Sequence, residues 1–255
     1  MKIYVCVKHV PDSAATIEVI DGKRINTGIT FLINPYDEHA LTEAARLCNG
    51  KPDAEIVAIC LGPPEAESTL RSAMAMGAHR AILVSTPDNH DSMFTARALH
   101  AAISRDGEPA MILAGKESID QEGMQTPFRL ARLFNMPVAA NVVSVKLETD
   151  TVLVECEKEA GAVDVVRMAL PCVLGAGKAL NTPRYPTFPD IVKSRKKPLD
   201  VIALDALQVE PPPGGMRILS LEPVRDERRP RQLEGSPAEI AHQLMDILKN
   251  QARVI

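Results

Sequence analysis

The sequence predicts an α/β fold, namely a doubly wound, mostly parallel sheet with an antiparallel extension and a C-terminal arm. The first observation is a series of four short apolar stretches, separated by segments with the apolar spacing of helices. Short runs that are apolar throughout are typical of strands covered on both faces, as in a parallel sheet. The second observation is that this alternation stops after about 140 residues, where strand-like segments follow one another directly.

The strand candidates of the first part are residues 3–7, 55–61, 80–84 and 110–114. The helix candidates are residues 38–47, 65–76, 92–104 and 124–134. In the first helix Ala40, Leu41 and Ala44 fall on one stripe, as expected for a helix that packs on a sheet. Strand–helix alternation of this kind favours right-handed crossovers and a doubly wound sheet.

The antiparallel extension is predicted from residues 141–147 and 152–158, which are joined by a turn at 148–151. Residues 163–174 are predicted as a third strand of this extension, interrupted at Pro171. These elements complete an α/β domain over residues 1–200.

The remaining residues, 201–255, are predicted to form an extended arm. Residues 210–234 are too rich in proline and charge to build a packed domain. A last helix is predicted after the N-cap Ser236, with its apolar side chains on one face. These side chains are Ile240, Leu244, Ile247 and Leu248. In an arm without a packed domain of its own, this apolar stripe would be exposed to water. We therefore expect the arm to pack on a partner subunit rather than to be a disordered tail.

Composition excludes several classes of function. The net charge of −4 and the pI of about 5.9 give no basic field for nucleic acid. No stretch approaches the roughly 18 apolar residues of a membrane span, and the first ten residues are predicted as a strand rather than a signal peptide. The five cysteines are scattered without a CxxC pair, which favours a reducing compartment, and we expect the cytoplasm. The six histidines form no set at metal-ligand spacing, so neither a metal site nor a catalytic residue is predicted.

Ligands of doubly wound sheets bind beyond the carboxyl ends of the strands, so the residues that follow each strand are the site candidates. The segment from Asp120 to Thr126 follows the fourth strand and leads into a helix, whose first amides could bind an anion. An ordinary acidic first turn explains it equally well. Asp37 is predicted as the N-cap of the first helix, with Asn34 and Tyr36 placed to flank an adenine. The sequence GAGKAL at 175–180 lacks the spacing of a phosphate loop and is predicted as an exposed strand exit.

Five segments together resemble the beta subunit of electron-transfer flavoproteins. They are VCVKHVPDS (5–13), NPYDEHALTEAARL (34–47), GPPEAESTLRSAMAMGA (62–78), GKESIDQEGMQT (115–126) and LNTPRYPTFPDIVKSRKKP (180–198). They follow the order of the family across about the first 200 residues. The resemblance implies an adenine-nucleotide-binding domain of the HUP type that pairs with a larger alpha subunit. It further implies a structural AMP in this chain and an FAD that is shared with, and mostly held by, the alpha subunit.

The resemblance also implies the site residues. It assigns the nucleotide to Cys6, Asn34, Pro35, Tyr36, Asp37, Leu61, Asp120, Gln121, Glu122, Gly123, Met124, Gln125, Thr126, Pro127, Phe128, Arg129, Leu130 and Ala131. It identifies a proline-rich hairpin at 176–198 as a recognition loop that docks a dehydrogenase, with Phe188 as its apolar anchor. The docking residues are Arg184, Tyr185, Phe188, Lys193, Lys196 and Lys197.

The expected function is therefore that of an electron carrier rather than an enzyme. It would accept electrons from acyl-CoA-type flavin dehydrogenases and pass them to a quinone-linked oxidoreductase. A second hypothesis is a subunit of an electron-bifurcating flavoprotein that oxidises NADH and binds a second FAD in place of AMP. The segments VPDS, NPYD and GPPEAES resemble that branch, whereas Gln125-Thr126 resembles the AMP-type loop. A third hypothesis is a stand-alone nucleotide-binding protein of the universal-stress type.

Overall fold

The computed structural model describes residues 1–210, 216, 218–223 and 230–254. It divides into two compact units, Met1–Ser220 and Leu221–Ile255. The first unit contains a nine-stranded sheet among its described residues. Its strands are β1 (Lys2–Cys6), β6 (Glu55–Gly62), β7 (Arg80–Ser85), β8 (Met111–Gly115), β9 (Val138–Leu147), β10 (Thr151–Glu157), β11 (Val163–Ala169), β12 (Cys172–Ala176) and β13 (Leu199–Ala203). Their order across the sheet is β11-β10-β9-β12-β8-β1-β6-β7-β13.

Two short ribbons lie between β1 and β6 in the chain. They are formed by β2 (His9–Pro11) with β5 (Phe31–Ile33) and by β3 (Val19–Ile20) with β4 (Arg24–Ile25). The helices of the first unit are α1 (Pro35–Cys48), α2 (Glu67–Met76), α3 (Ser92–Asp106), α4 (Thr126–Phe134) and α5 (Phe188–Ser194).

The sheet is covered on both faces, and this double cover explains why its central strands are apolar throughout. Side chains of α1 and α2, such as Leu41 and Met74, belong to one buried cluster. Side chains of α3 and α4, such as Leu99 and Leu130, belong to a second cluster that contains the alternate residues of the same strands. The prediction of a doubly wound, mostly parallel sheet is confirmed.

The antiparallel extension is also confirmed, with one correction. β9, β10 and β11 pair in antiparallel fashion, but the strand predicted over 163–174 is in fact two strands. β11 ends at Ala169, and β12 runs parallel between β8 and β9 near the centre of the sheet. Pro171 lacks an amide hydrogen for ladder bonding, and it marks the break between the two strands rather than a local interruption.

The edge strand β13 was not among the predicted strands and spans the boundary expected at residue 200. It pairs in parallel with β7. No described residue after Ala203 lies in a strand, and residues 216, 218–223 and 230–234 are in neither helix nor strand. The other residues of the irregular segment predicted over 210–234, except Glu210, lie outside the described residues.

The second unit contains α6 (Pro237–Asp246), which continues as a wider helical segment over Ile247–Ala252. Its N-terminus has the predicted cap, since Ser236 Oγ accepts a hydrogen bond from the amide of Glu239, whose carboxylate accepts one from the amide of Ser236. No residue of α6 is buried.

Candidate functional site

The central crevice of the sheet lies between the carboxyl ends of β1 and β8. From β1 the chain moves through β6 and β7 in one direction and then returns to β8 on the other side of β1. This reversal is the topological switch point at which doubly wound sheets bind ligands. Three predicted elements meet there, namely the ends of the strands, the start of α1 and the segment before α4.

Asp37 connects the two strands that flank the crevice. Its Oδ2 accepts a hydrogen bond of 2.8 Å from the amide of Lys8, and its Oδ1 accepts one of 2.8 Å from the amide of Gly115. Asp37 is buried, and burial raises the pKa of its carboxyl group to about 7, although both amide hydrogen bonds oppose this rise. The prediction that Asp37 is the N-cap of α1 is wrong, because the N-cap residue is Asn34. The sequence around Asp37 could not indicate its contacts with Lys8 and Gly115, which lie 29 and 78 positions away in the chain.

Gly115 allows α1 to approach β8 this closely. A Cβ atom at Gly115 would come within 2.5 Å of both Asp37 Oδ1 and Tyr36 Cβ. It would also lie 3.0 Å from the backbone of Tyr36, which cannot move without displacing α1. The start of α1 is therefore fixed against the end of β8.

Asn34 holds the segment that follows β8. Its side chain is 1% exposed. Its Nδ2 donates to the carbonyl of Glu117 (2.9 Å), and its Oδ1 accepts from the amide of Ile119 (3.2 Å). This use of the side chain explains why Asn34 does not cap α1 through its side chain. Both ends of the amide are engaged, so Asn34 shapes the crevice. The ring of Tyr36 is partly exposed, and Lys116 Nζ lies 5.3 Å from its centre.

Lys8 supports the same segment from the other side, and it was not among the assigned site residues. Its Nζ lies 2.7 Å from Asp120 Oδ2 and 3.3 Å from Ser118 Oγ. Its position directly after β1 was a signal in the sequence that it faces the crevice. Asp120 therefore pairs with a lysine. The alternative of an ordinary acidic first turn is wrong, because α4 begins at Thr126, its N-cap is Gln125 and its first turn contains no acidic residue.

The segment between Asp120 and α4 is exposed and has an unusual backbone. Glu122 and Met124 have positive φ angles of 49° and 51°, a region that side chains other than glycine seldom adopt and that is often found at functional sites. Between them, Gly123 has open space where a Cβ would lie. The amides of Thr126 and Phe128 belong to the first turn of α4 and have no partner within the helix, whereas Pro127 has no amide hydrogen.

The assigned nucleotide residues are thus of three kinds. Exposed ones face solvent near the crevice, namely Pro35, Asp120, Gln121, Glu122, Gly123, Met124, Gln125 and Phe128. Others are buried in the protein, namely Cys6, Asn34, Asp37, Pro127, Leu130 and Ala131. The partly exposed ones are Tyr36, Leu61, Thr126 and Arg129, and Arg129 donates to the side-chain oxygen of Gln125. Burial raises the pKa of the Cys6 thiol above its ordinary range, so Cys6 is not a reactive thiolate.

Residues 175–180 agree with the predicted exposed strand exit only in their second half. β12 ends at Ala176, and Lys178 and Ala179 are exposed, whereas Gly175, Ala176 and Gly177 are buried. A Cβ at Gly177 would lie 2.7 Å from Asn141 Oδ1, so the glycine is required by packing rather than by exposure to a ligand.

The segment predicted as a recognition hairpin at 176–198 is not a hairpin. A stretch that is in neither helix nor strand is followed by the seven-residue helix α5. Three prolines in the stretch and at the start of α5 (Pro183, Pro186 and Pro189) lack the amide hydrogens that strand pairing would need. Tyr185 and Phe188 are 77% and 78% exposed. The alternative that Phe188 covers its own segment is therefore not supported.

The basic residues of this segment have different surroundings. Lys193 and Lys196 are exposed, whereas Lys197 donates to the carbonyls of Met74 (2.8 Å) and Ala78 (2.6 Å) at the end of α2. Burial lowers the pKa of Lys197. Arg184 pairs with Asp190 at 3.2 Å.

In the described part of the chain, no group of three or more His, Cys, Asp or Glu residues is arranged to hold a metal ion. None of the described helices combines the length and apolar character that crossing a bilayer requires.

Comparison with known proteins gives the family. The model of the electron transfer flavoprotein domain matches residues 25–207. Over 100% of both chains, the sequence is 34% identical to the electron transfer flavoprotein subunit beta of Bacillus subtilis. It is 32% identical to the bovine (Bos taurus) subunit beta over 100% of this chain and 99% of that one. It is also 33% identical to CarD, a subunit of the caffeyl-CoA reductase-Etf complex of Acetobacterium woodii, over 79% of this chain and 78% of CarD. The chain therefore belongs to the electron transfer flavoprotein family, as a subunit of the beta type.

Proposed function

We propose that this chain is the small subunit of a heterodimeric carrier that accepts electrons from acyl-CoA-type flavin dehydrogenases and passes them to a quinone-linked oxidoreductase. In this proposal the chain binds a structural AMP and helps an alpha subunit to hold the FAD. The observation that carries the nucleotide part is the switch-point crevice, with both flanking strands bound by Asp37 and the following segment held by Asn34 and Lys8.

The residues at the crevice fit an adenylate. The amides of Thr126 and Phe128 are suited to a phosphate group, and the positive end of the α4 dipole adds to this. Gly123 leaves room for close approach to the backbone. Tyr36 is the ring available to the base, while Asn34 and Asp37 act by fixing the backbone around it.

The FAD supplies the redox chemistry when it is bound, and the described residues of this chain bind, orient and shield. The chain has no tryptophan and only three tyrosines and five phenylalanines. This composition supports a flavin held mostly by the partner. The apolar stripe of α6 supports an arm that packs on that partner, since Leu244 is 46% exposed and no residue of the helix is buried.

The exposed Tyr185 and Phe188 support docking of the dehydrogenase at residues 176–198. A large apolar side chain next to prolines offers contact area with little loss of conformational entropy on binding. The five free, buried cysteines fit a reducing compartment, and we propose the cytoplasm.

A second candidate is a subunit of an electron-bifurcating flavoprotein that binds a second FAD and oxidises NADH. The similarity to CarD, whose name places it in a complex with a reductase, favours this candidate. The third hypothesis, a stand-alone protein of the universal-stress type, has no support from the comparisons.

The test is to co-purify this chain with its alpha subunit and to identify and count the nucleotides released on denaturation. One AMP and one FAD per heterodimer are expected. Two FAD and no AMP would instead establish the bifurcating candidate, and a chain that binds neither partner nor nucleotide would refute both.

A further inference from the structure

A cationic groove lies at the amino ends of the strands, at the opposite edge of the sheet from the central crevice. It is formed by two adjoining cavities of about 520 and 230 Å³, which share Gly77, His79 and Arg184. Their walls come from the turn before β6, the turn before β7 and the segment from Arg184 to Lys197. We call this the amino-edge groove and define it by Lys51, His79, Arg184, Asp190, Lys193 and Lys197.

The charges of the amino-edge groove are unbalanced. Four of its side chains are cationic, and Asp190 is the carboxylate among them. The Oδ2 of Asp190 already accepts hydrogen bonds from the amide (3.1 Å) and hydroxyl (2.9 Å) of Thr187. Lys197 neutralises the carbonyl end of α2. Within the described residues, no carboxylate pairs with Lys51 or Lys193, and these two cations are exposed.

Two groups in the groove are held so that they can donate hydrogen bonds to a ligand. The backbone amide of Arg184 donates to Thr42 Oγ1 (2.9 Å), which fixes the root of its side chain, and only one guanidinium nitrogen contacts Asp190. His79 Nδ1 accepts the amide hydrogen of Ile56 at 2.9 Å. Since an amide only donates, the proton of the neutral His79 ring lies on Nε2, which is left as a donor.

The groove is continuous with the proposed docking segment. Phe188 and Lys193 belong to the same helix, α5, where five residues correspond to a rise of about 7.5 Å and a rotation of about 140°. Their side chains therefore lie on different faces of a helix about 10 Å across, and a protein that binds the exposed ring of Phe188 reaches Lys193 and Arg184 with a segment that passes around α5. Carboxylates are the groups that suit such a surface, because an arginine can bind them through two hydrogen bonds.

We infer that the amino-edge groove binds an acidic segment, carrying Asp or Glu side chains, of the redox partner protein that docks on Phe188. This inference rests on the proposed docking role of residues 176–198. It adds a polar contact site to the apolar anchor and gives the recognition of the partner a dependence on salt, since exposed charges are screened over about 8 Å at physiological ionic strength.

The test uses the intact heterodimer and a purified acyl-CoA dehydrogenase with its substrate, and follows the bleaching of the flavin absorbance. The variant Arg184→Gln/Lys193→Gln is compared with Lys146→Gln, which removes an exposed lysine from β9 on the other wing of the sheet. We expect the double variant to raise the KM for the flavoprotein about 3- to 10-fold at low salt and to flatten the dependence of KM on ionic strength. Lys146→Gln should keep the wild-type salt dependence, and the FAD and nucleotide contents should stay equal in all three proteins.

The outcomes separate the groove from the anchor. If the double variant keeps the wild-type salt dependence of KM while Phe188→Ala raises KM, the inference about the groove is wrong. The docking proposal would then still hold. If Phe188→Ala leaves KM unchanged, the docking proposal is wrong, and so is the inference about the groove, which rests on it. A hexaglutamate peptide should inhibit the wild-type reaction and lose this effect in the double variant. Saturable binding of inorganic phosphate that the double variant loses, with partner kinetics unchanged, would assign the groove to a small anion and overturn the inference.

Discussion

The carboxylate of Asp37 lies 2.8 Å from the amide nitrogen of Gly115, at a place where glycine is the residue that leaves room for it. The contact joins residues 78 positions apart and closes the end of β8 against the start of α1. It brings together the elements from which the proposed nucleotide site is built.

Replacing Gly115 by alanine should disturb this contact. The new methyl group would lie 2.5 Å from Asp37 Oδ1, so α1 must shift, and we expect a loss of about 1 to 3 kcal/mol in the free energy of unfolding. Nucleotide retention should fall as well. Gly123→Ala is the matched control for stability, because a Cβ there has no atom within 4 Å, and it should change the free energy of unfolding by less than about 0.5 kcal/mol. Equal stabilities for the two variants in urea unfolding would contradict the packing argument.

Asp37 should give stability a particular dependence on pH. Burial raises its pKa from 3.8 to about 7, so between these values the folded protein keeps a proton that the unfolded chain has lost. The folded state then binds more protons, and stability falls as pH rises, by an amount on the order of 4 kcal/mol at about 1.4 kcal/mol per pKa unit. Urea unfolding from pH 4 to pH 7.5 should show this fall for the wild type and its absence in Asp37→Asn. Asp150→Asn, in an exposed turn, should retain the wild-type slope. If the unfolding free energy changes with pH in the same way for the wild type and Asp37→Asn, Asp37 is not the group that causes the pH dependence.

Asn34→Ala should loosen the segment after β8. The substitution leaves the carbonyl of Glu117 and the amide of Ile119 without their partner, and we expect a cost of about 2 kcal/mol or more. Hydrogen exchange of residues 117–122 should accelerate, and AMP should be lost during gel filtration of the heterodimer. Asn26→Ala, whose side chain makes exposed hydrogen bonds within its own loop, is the control. Wild-type exchange rates at 117–122 would show that Asn34 does not hold the segment.

Phe188→Ala should separate docking from folding. The ring is 78% exposed, so its removal should change the unfolding free energy by less than about 0.5 kcal/mol and leave the FAD content unchanged. Electron transfer from the dehydrogenase should slow about tenfold or more, as for a binding hot spot. Val165→Ala removes a similarly exposed apolar side chain on β11 and should leave donor kinetics at the wild-type value. Unchanged donor kinetics in Phe188→Ala would disprove the anchor role.

The central strands could be predicted from sequence because burial on both faces makes them apolar throughout, as in β6 and β8. β12 was missed as a separate strand. The sequence around Pro171 does not indicate whether the residues after it continue to pair with the same strand as the residues before it or pair with other strands. β13 has exposed positions at Asp200, Val201 and Ala203, so its pattern resembled that of the irregular tail. The role of Asp37 depends on partners far away in the chain, and an aspartate just before a helix is equally typical of a cap.

Helix α1 links regions that lie far apart in the sequence. It begins at Pro35 and places Asp37, in its first turn, at the crevice. It holds Asn181 and Arg184 through His39 and Thr42, and it reaches the carbonyl of Val145 through Arg46. Its 14 residues form a rod of about 21 Å, so a tilt of about 5° at one end displaces the other by about 2 Å. A ligand that fixes the first turn of α1 would therefore also fix the position of the segment that leads to Phe188. This coupling would give the proposed AMP a mechanical role, although it takes no part in the redox chemistry.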